Sequence, residues 1–334
     1  MAKERYLFID VARGMAMLLV VFGHCCVPAD IFVNQVLLSF HMPLFFFMSG
    51  IFFKGPQIGC YGDYTLMRIK KLMAPHLTMA VITAICSVAI VGGVKHEPIE
   101  LETYTIPFLY WFLPVLMICL LLMILAFAVA REKRKASILA ILVSLVLIYP
   151  SILATDYVDN NVSNALLQSA LRILCITPTA LLFFALGSYM KDLVINHFAH
   201  YEISVKRGFI NILLLCAFIV LAERNGYVFM YTNHYGFNYV AFFVCAAIGI
   251  YCSLLISTFL QKSRILQFSG EFSICLYVWN FVVCGNTARV ANLLNKYIEI
   301  NPTALSVISF MIAFVIIMTL TKLTKDKFGY LYGL

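Results

Sequence analysis

The chain has 334 residues, 63% of them hydrophobic before glycine is counted, whereas a soluble domain reaches only about 45–50% with glycine included. Charged residues make up 12%, the mean hydropathy is +0.93 and the formal net charge is +8. These figures exclude an ordinary soluble globule. They predict an all-α polytopic membrane protein with about ten spans of about 20 apolar residues each, leaving no room for a sizeable soluble domain.

The first predicted span covers residues 7–27. The N-terminal MAKERYLFIDVARG is basic and then apolar, but it carries an acid and an arginine and lacks a small-residue cleavage motif, so it reads as a membrane helix rather than a removable signal. Asp10, Arg13 and His24 share one of its faces, because the eleven residues from Arg13 to His24 complete three turns plus about 20°. The resulting polar stripe is roughly 20 Å long. A charge at the centre of a membrane helix costs from about 2.5 kcal/mol upward, which marks these residues as functional candidates. An interfacial Asp10–Arg13 ion pair with a helix-end His24 accounts for them equally well.

The second predicted span, 34–53, tips that balance. His41, in SFHMPLFFFMSG, falls in the outer half of its helix one short loop from His24, so two histidines converge at similar depth. Pro43 frees a carbonyl, and Ser49 and Gly50 permit close backbone approach, so a kinked helix is expected. The plainer alternative is a His41 that bonds to a neighbouring helix. Ahead of the third span, 73–93, lie Arg68, Lys70 and Lys71. Such clusters set topology or touch lipid headgroups, but Arg68 and Lys71, at i and i+3, also present one face to a cytosolic polyphosphate. The fourth span, 107–130, opens with Tyr110 and Trp111, where an interfacial aromatic belt is the default explanation. Further spans are predicted at 136–152, 170–190, 208–222, 238–260, 266–285 and 304–323, the fifth and seventh being short. Glu271, about one turn into the ninth, reads as an electrostatic cap.

The placement of Lys and Arg tests this layout, since positive charges near span ends are retained in the cytoplasm. With both termini inside, 18 of the 24 fall on inside segments. Only Lys95, Arg224, Arg289 and Lys296 fall outside, and Arg13 and Arg172 lie within spans. Glu97, Glu100, Glu102, Asp156 and Asp159 lean to the outer loops. The net charge is therefore mostly topology, and nucleic acid is not a partner. Of the 11 cysteines all but Cys60 sit in or at the ends of apolar segments, with no CxxC pair, and read as packing residues rather than a metal site. No fixed-period repeat or matched pair of broken helices points to an inverted-repeat transporter.

The run RYLFIDVARGMAMLLVVFGH, a short outer loop, then SFHMPLFFFMSGIFFK and MRIKKLMAP resemble the acyltransferase-3 family of integral-membrane acyltransferases, especially its fucose 4-O-acetylase-like branch. YWFLPVL around Trp111 and PTALLFFALGSYMKD around Gly187 follow in the same order, and the first 75 residues carry nearly all of the specificity. The resemblance implies a single acyltransferase domain over 1–334 and transfer of an acyl group, commonly acetyl, from a coenzyme A thioester to a sugar hydroxyl of a surface or exported glycan or glycolipid. It implies Arg13 and His24 as the first-helix pair and Arg68 and Lys71 as the basic pair that holds the coenzyme phosphates. Lys71 stands where arginine is more usual, and Asn280, in YVWN, stands where a histidine is usual.

The chemistry suits these residue types, because a sugar hydroxyl attacks only as a base takes its proton, and neutral histidine has a fitting pKa. His24 is the expected base, with Arg13 continuing the positive path inward and His41 or Asn280 positioning the acceptor or stabilising the oxyanion. Asp10, Trp111 and Ser49 complete the expected substrate contacts. Acetyl-CoA, without a metal, is the expected donor, and a multi-pass protein of the inner membrane surrounded by lipid is the expected setting. A homo-oligomer stays open. The competing reading is a transporter or acyl-group carrier that supplies a separate transferase.

Overall fold

The computed structural model describes residues 6–25, 31–57, 59–89, 110–202, 204–295, 297 and 300–333. Among them ten helices are long and apolar enough to cross a membrane, and the protein is an all-α multi-pass membrane protein. Helices satisfy every backbone polar group within the segment, which is why a chain this apolar adopts them throughout. Lys3, Arg5, Lys95, Glu97, Glu100, Glu102 and Lys296, used in the charge count, lie outside the described residues.

Span one is α1 (Leu7–Cys25). Span two is broken into α2 (Ile31–Leu38) and α3 (His41–Ile51) by a turn at Ser39 and Phe40. The break falls before Pro43 rather than at it. Pro43 then occupies the first turn of α3, where its missing N–H leaves no hydrogen bond unmade. Spans three to eight are α4 (Tyr61–Val88), α5 (Phe112–Ala130), α6 (Lys133–Asn161), α7 (Ala165–Ala199), α8 (Val205–Asn225) and α9 (Tyr239–Phe259). Several overrun their predicted limits. The helix of α4 starts at Tyr61, so Arg68 and Lys71 lie on a helix, and the span that looked short at 136–152 is a helix of 29 residues. An apolar window detects only the part of a helix that needs lipid, whereas its polar ends continue into headgroups and water.

Span nine also begins later than predicted. Residues 264–271 form the separate short helix α10 (Arg264–Glu271), whose Ser263 side chain caps Leu266 N at 3.4 Å, and the span itself is α11 (Ser273–Asn295). The polar run QFSGEFS breaks the apolar stretch there. Glu271 thus ends α10 immediately before the first turn of α11. The tenth span is α12 (Pro302–Thr324), followed by a short 3-10 turn, Gly329–Tyr332, that packs on α4 through a 3.1 Å bond from Thr78 Oγ1 to the Leu331 carbonyl.

Two pairs of glycines set the closest helix crossings. A Cβ on Gly50 would overlap the Phe184 carbonyl and one on Gly187 the Phe47 carbonyl, so α3 and α7 meet backbone to backbone. Gly14 and Gly270 do the same for α1 and α10, against the carbonyls of Leu266 and Asp10. Without a hydrophobic drive between helices in lipid, such close approach supplies much of the packing energy.

The link between α8 and α9 is a small hairpin, β1 (Val228–Phe229) and β2 (His234–Tyr235), paired Val228 to Tyr235 and Phe229 to His234. Asn233 closes its turn at φ 51°. Its side-chain nitrogen donates to Thr155 Oγ1 at 2.7 Å and to the carbonyls of Cys175 and Ser151 at 3.0 and 3.3 Å. The Tyr235 hydroxyl bridges Asn233 Oδ1 at 2.6 Å and Thr179 Oγ1 at 2.8 Å. These bonds lock the hairpin onto α6 and α7. Arg172, read from sequence as lying within a span, sits near this end of α7, its Nε donating to Asp159 Oδ1 at 2.7 Å.

Candidate functional site

A cavity of about 570 Å³ runs through the bundle beside α1. Its walls come from α1, α2, α3, α5, α7, α11 and the α8–α9 hairpin, and it extends from the level of Arg13 to that of His24 and beyond to Tyr231. Along α1 that interval is eleven residues, or about 16 Å. The walls are mainly apolar, with a few convergent polar groups, as ligand cavities generally are.

Five of the residues singled out from sequence line this cavity: Arg13, His24, His41, Ser49 and Trp111. His24, in the last turn of α1, is exposed on the cavity wall, its ring packed on Phe281 at 4.8 Å. His41, the first residue of α3, is only 7% exposed, and its Nδ1 lies 2.8 Å from the Leu37 carbonyl oxygen. A carbonyl only accepts, so Nδ1 carries the proton in neutral His41 and Nε2 carries the lone pair. The two imidazoles are close enough to interact electrostatically. The break after α2 produces this placement, since it turns His41 and the Leu37 carbonyl toward each other.

At the other end of the cavity Arg13 Nη2 donates to Ser273 Oγ at 3.2 Å, and the guanidinium lies over the Phe52 ring at 5.1 Å. Asp10, one turn earlier, is within electrostatic range of Arg13. Ser49 Oγ donates to the Phe45 carbonyl at 2.8 Å, and Trp111 packs against Phe46 and Tyr231.

Four candidates do not line the cavity: Asp10, Asn280, Arg68 and Lys71. The Asp10 backbone backs onto Gly270. Asn280 is fully buried, its Oδ1 accepting from the Cys284 thiol at 3.2 Å, and that thiol also points at the Val21 carbonyl of α1 at 3.8 Å. Arg68 lies over the Tyr64 ring at 5.0 Å with its Nε buried and without a hydrogen-bond partner among the described residues, and Lys71 is exposed where Gly333 packs on its backbone. Both belong to the end of α4 near Arg13's end of the bundle.

The cavity also has walls that the sequence reading did not assign to it: Ser273, Tyr277 and Phe281 of α11, Tyr231 of the hairpin, and Tyr110. Tyr110 stacks on Phe281 at 4.2 Å, and burial pushes its phenol above the ordinary tyrosine pKa, so the hydroxyl stays protonated. Only the tertiary fold brings these residues to α1. A turn signal in NHYG, with Asn233 at its left-handed position and Gly236 after it, was the available hint that the hairpin is ordered.

A family model described as an acyltransferase domain matches residues 6–322, nearly the full length, and the chain belongs to this acyltransferase-3 family. Comparisons with curated proteins and with solved structures give no match.

Proposed function

Starting from that membership, we propose that the protein is an O-acyltransferase that moves acetyl from acetyl-CoA to a sugar hydroxyl of a surface or exported glycan, within the inner membrane and with both termini cytoplasmic. The observation that carries this reading is the pair His24 and His41 on the wall of one cavity whose far end holds Arg13. His24 takes the proton as the acceptor oxygen attacks the thioester carbonyl. The tetrahedral intermediate collapses, the C–S bond breaks, and the departing thiolate receives the proton that His24 carries. His41, with its lone pair on Nε2, accepts a hydrogen bond from a neighbouring hydroxyl of the acceptor sugar and so orients the ring. The protonated Tyr110 hydroxyl is a donor available at the same end.

Arg68 and Lys71 hold the coenzyme's phosphates at the cytoplasmic end of α4, and the acyl-bearing arm reaches past Arg13 into the cavity. The donor then approaches from the cytoplasm and the glycan from the hairpin side, so the two meet near His24. The experiment is single-turnover transfer from radiolabelled acetyl-CoA by the purified full-length protein in sealed proteoliposomes, with donor outside and glycan inside or the reverse. Labelled glycan formed without a second protein supports the enzyme. Label carried across the membrane but transferred only when another protein is added supports a carrier instead.

A further inference from the structure

A second cavity, of about 430 Å³, lies at the bundle end remote from the hairpin, where α7 finishes and α8 and α9 pack beside it. Its polar walls are His197, His200, Tyr201, Arg207, Asn211 and Tyr251, none of which serves the acyl-transfer site. Asn211 Nδ2 donates to the Tyr201 hydroxyl at 2.7 Å, and the Tyr251 hydroxyl donates to Asn211 Oδ1 at 3.4 Å, which fixes one polar wall. Arg207 uses one Nη1 bond, of 3.0 Å, on the Glu202 backbone carbonyl. The guanidinium lies over the Tyr201 ring at 5.9 Å, and among the described residues no carboxylate lies within ion-pair distance of it, so its charge has no anionic partner there. His197 and His200 make no hydrogen bond among the described residues, although His197 packs on Tyr201 and Tyr251. The 21-residue α8 begins at this cavity, directing the positive end of its dipole there.

The cavity continues onto an apolar surface. Ile210 belongs to its wall and is 44% exposed, and one turn along the same face of α8 Leu213 is 52% exposed, with Phe209 beside them at 63%. On a membrane-spanning helix such a face meets acyl chains. A soluble phosphate would use the arginine and the imidazoles but not this rail.

We propose that this cavity binds the phosphate headgroup of an anionic membrane phospholipid, whose chains lie along Ile210 and Leu213 of α8. Arg207 and the α8 N-terminus hold the phosphate, while His197 and His200 donate to its oxygens or to the attached alcohol. The site is independent of the acyl-transfer reading.

The test is native mass spectrometry of the full-length protein released from nanodiscs of phosphatidylglycerol or phosphatidylcholine, for wild type, Arg207→Gln/His200→Gln and Arg207→Lys, with Arg224→Gln at the hairpin end as control. Wild type and the control are expected to retain phosphatidylglycerol preferentially. Loss of a surface cation weakens retention about five-fold, from about 1 kcal/mol per charge. The double variant should show at least that drop, and Arg207→Lys should keep most of the preference, which also separates lost binding from lost folding. Equal retention of the two lipids, or an unchanged double variant, overturns the proposal. So does a thermal shift from inorganic phosphate that matches the shift from phosphatidylglycerol, since the ligand would then be a soluble anion.

Discussion

Arg13 and Ser273, 260 residues apart in sequence, are joined by a 3.2 Å hydrogen bond from the guanidinium to the hydroxyl. That bond fixes the first turn of α11 to α1 at the end of the main cavity opposite His24. Arg13→Gln removes the charge as well as the bond, and a charge-assisted bond contributes about 1.5–3 kcal/mol, so transfer is expected to fall about ten- to a hundred-fold. Ser273→Ala, which leaves the guanidinium in place, should lower it by about five-fold or less. Initial rates at saturating and limiting acetyl-CoA check both, and equal losses in the two variants would mean that the charge is unimportant.

The two histidines are expected to separate by kinetic role. His24→Ala should lower the chemical step by about 10²–10⁴, the usual contribution of a general base, with only a small loss of thermal stability, because the ring is exposed on the cavity wall and packs on Phe281. His41→Ala should chiefly raise the KM for the glycan. It should also lower stability by about 1 kcal/mol through the lost bond to the Leu37 carbonyl. Normal donor turnover in His24→Ala would remove it from the chemistry.

Gly187→Ala places a methyl group on the Phe47 carbonyl and forces α3 away from α7. A cost of about 1–3 kcal/mol is expected, as for overpacking in general, and it should appear as a lower unfolding temperature in detergent. Gly285→Ala is the matched control, because nothing lies within 4 Å of the added Cβ.

Asn233→Ala deletes the donor that ties the hairpin to Thr155, Ser151 and Cys175, and it puts alanine at φ 51°. The expected cost is about 1–3 kcal/mol for the acceptors left unpaired. Hydrogen exchange should rise in residues 227–238 before it rises in α6 or α7. Uniform protection in the variant would show that apolar contacts alone hold the hairpin.

Cys60, exposed just before α4, reports orientation. In a variant that keeps it as the sole cysteine, a membrane-impermeant maleimide should label inverted vesicles and spare right-side-out ones. The reverse pattern would invert the topology.

Much of this was legible in the chain because membrane burial is a strong local signal. Ten apolar windows and the bias of Lys and Arg foretold ten spans, and the separation of Arg13 and His24 placed both on one face of α1. The turn at Ser39 and Phe40 was less legible, because Pro43 is the conspicuous helix breaker and the chain turns before it. Likewise the window 266–285 merges α10 with α11, since Ile265, Leu266 and Phe268 resemble the start of an apolar helix although QFSGEFS interrupts it. Ser273, Tyr277 and Phe281 carry no local mark of their place, and Tyr110 reads only as part of an interfacial aromatic belt. They reach the cavity only through packing of α5 and α11 around α1.

The crossing of Gly50 with Gly187 has an evolutionary corollary. Where two backbones touch, neither helix can take on a larger side chain, so α3 is closed to variation along that flank and the depth of the pocket beside Ser49 is set. The hairpin is freer at Phe229, which lines the cavity and is 38% exposed above a platform that Asn233 and Tyr235 keep in register. A substitution there can reshape what the pocket admits without disturbing the helices beneath, which makes it the position at which relatives with different acceptors should diverge first.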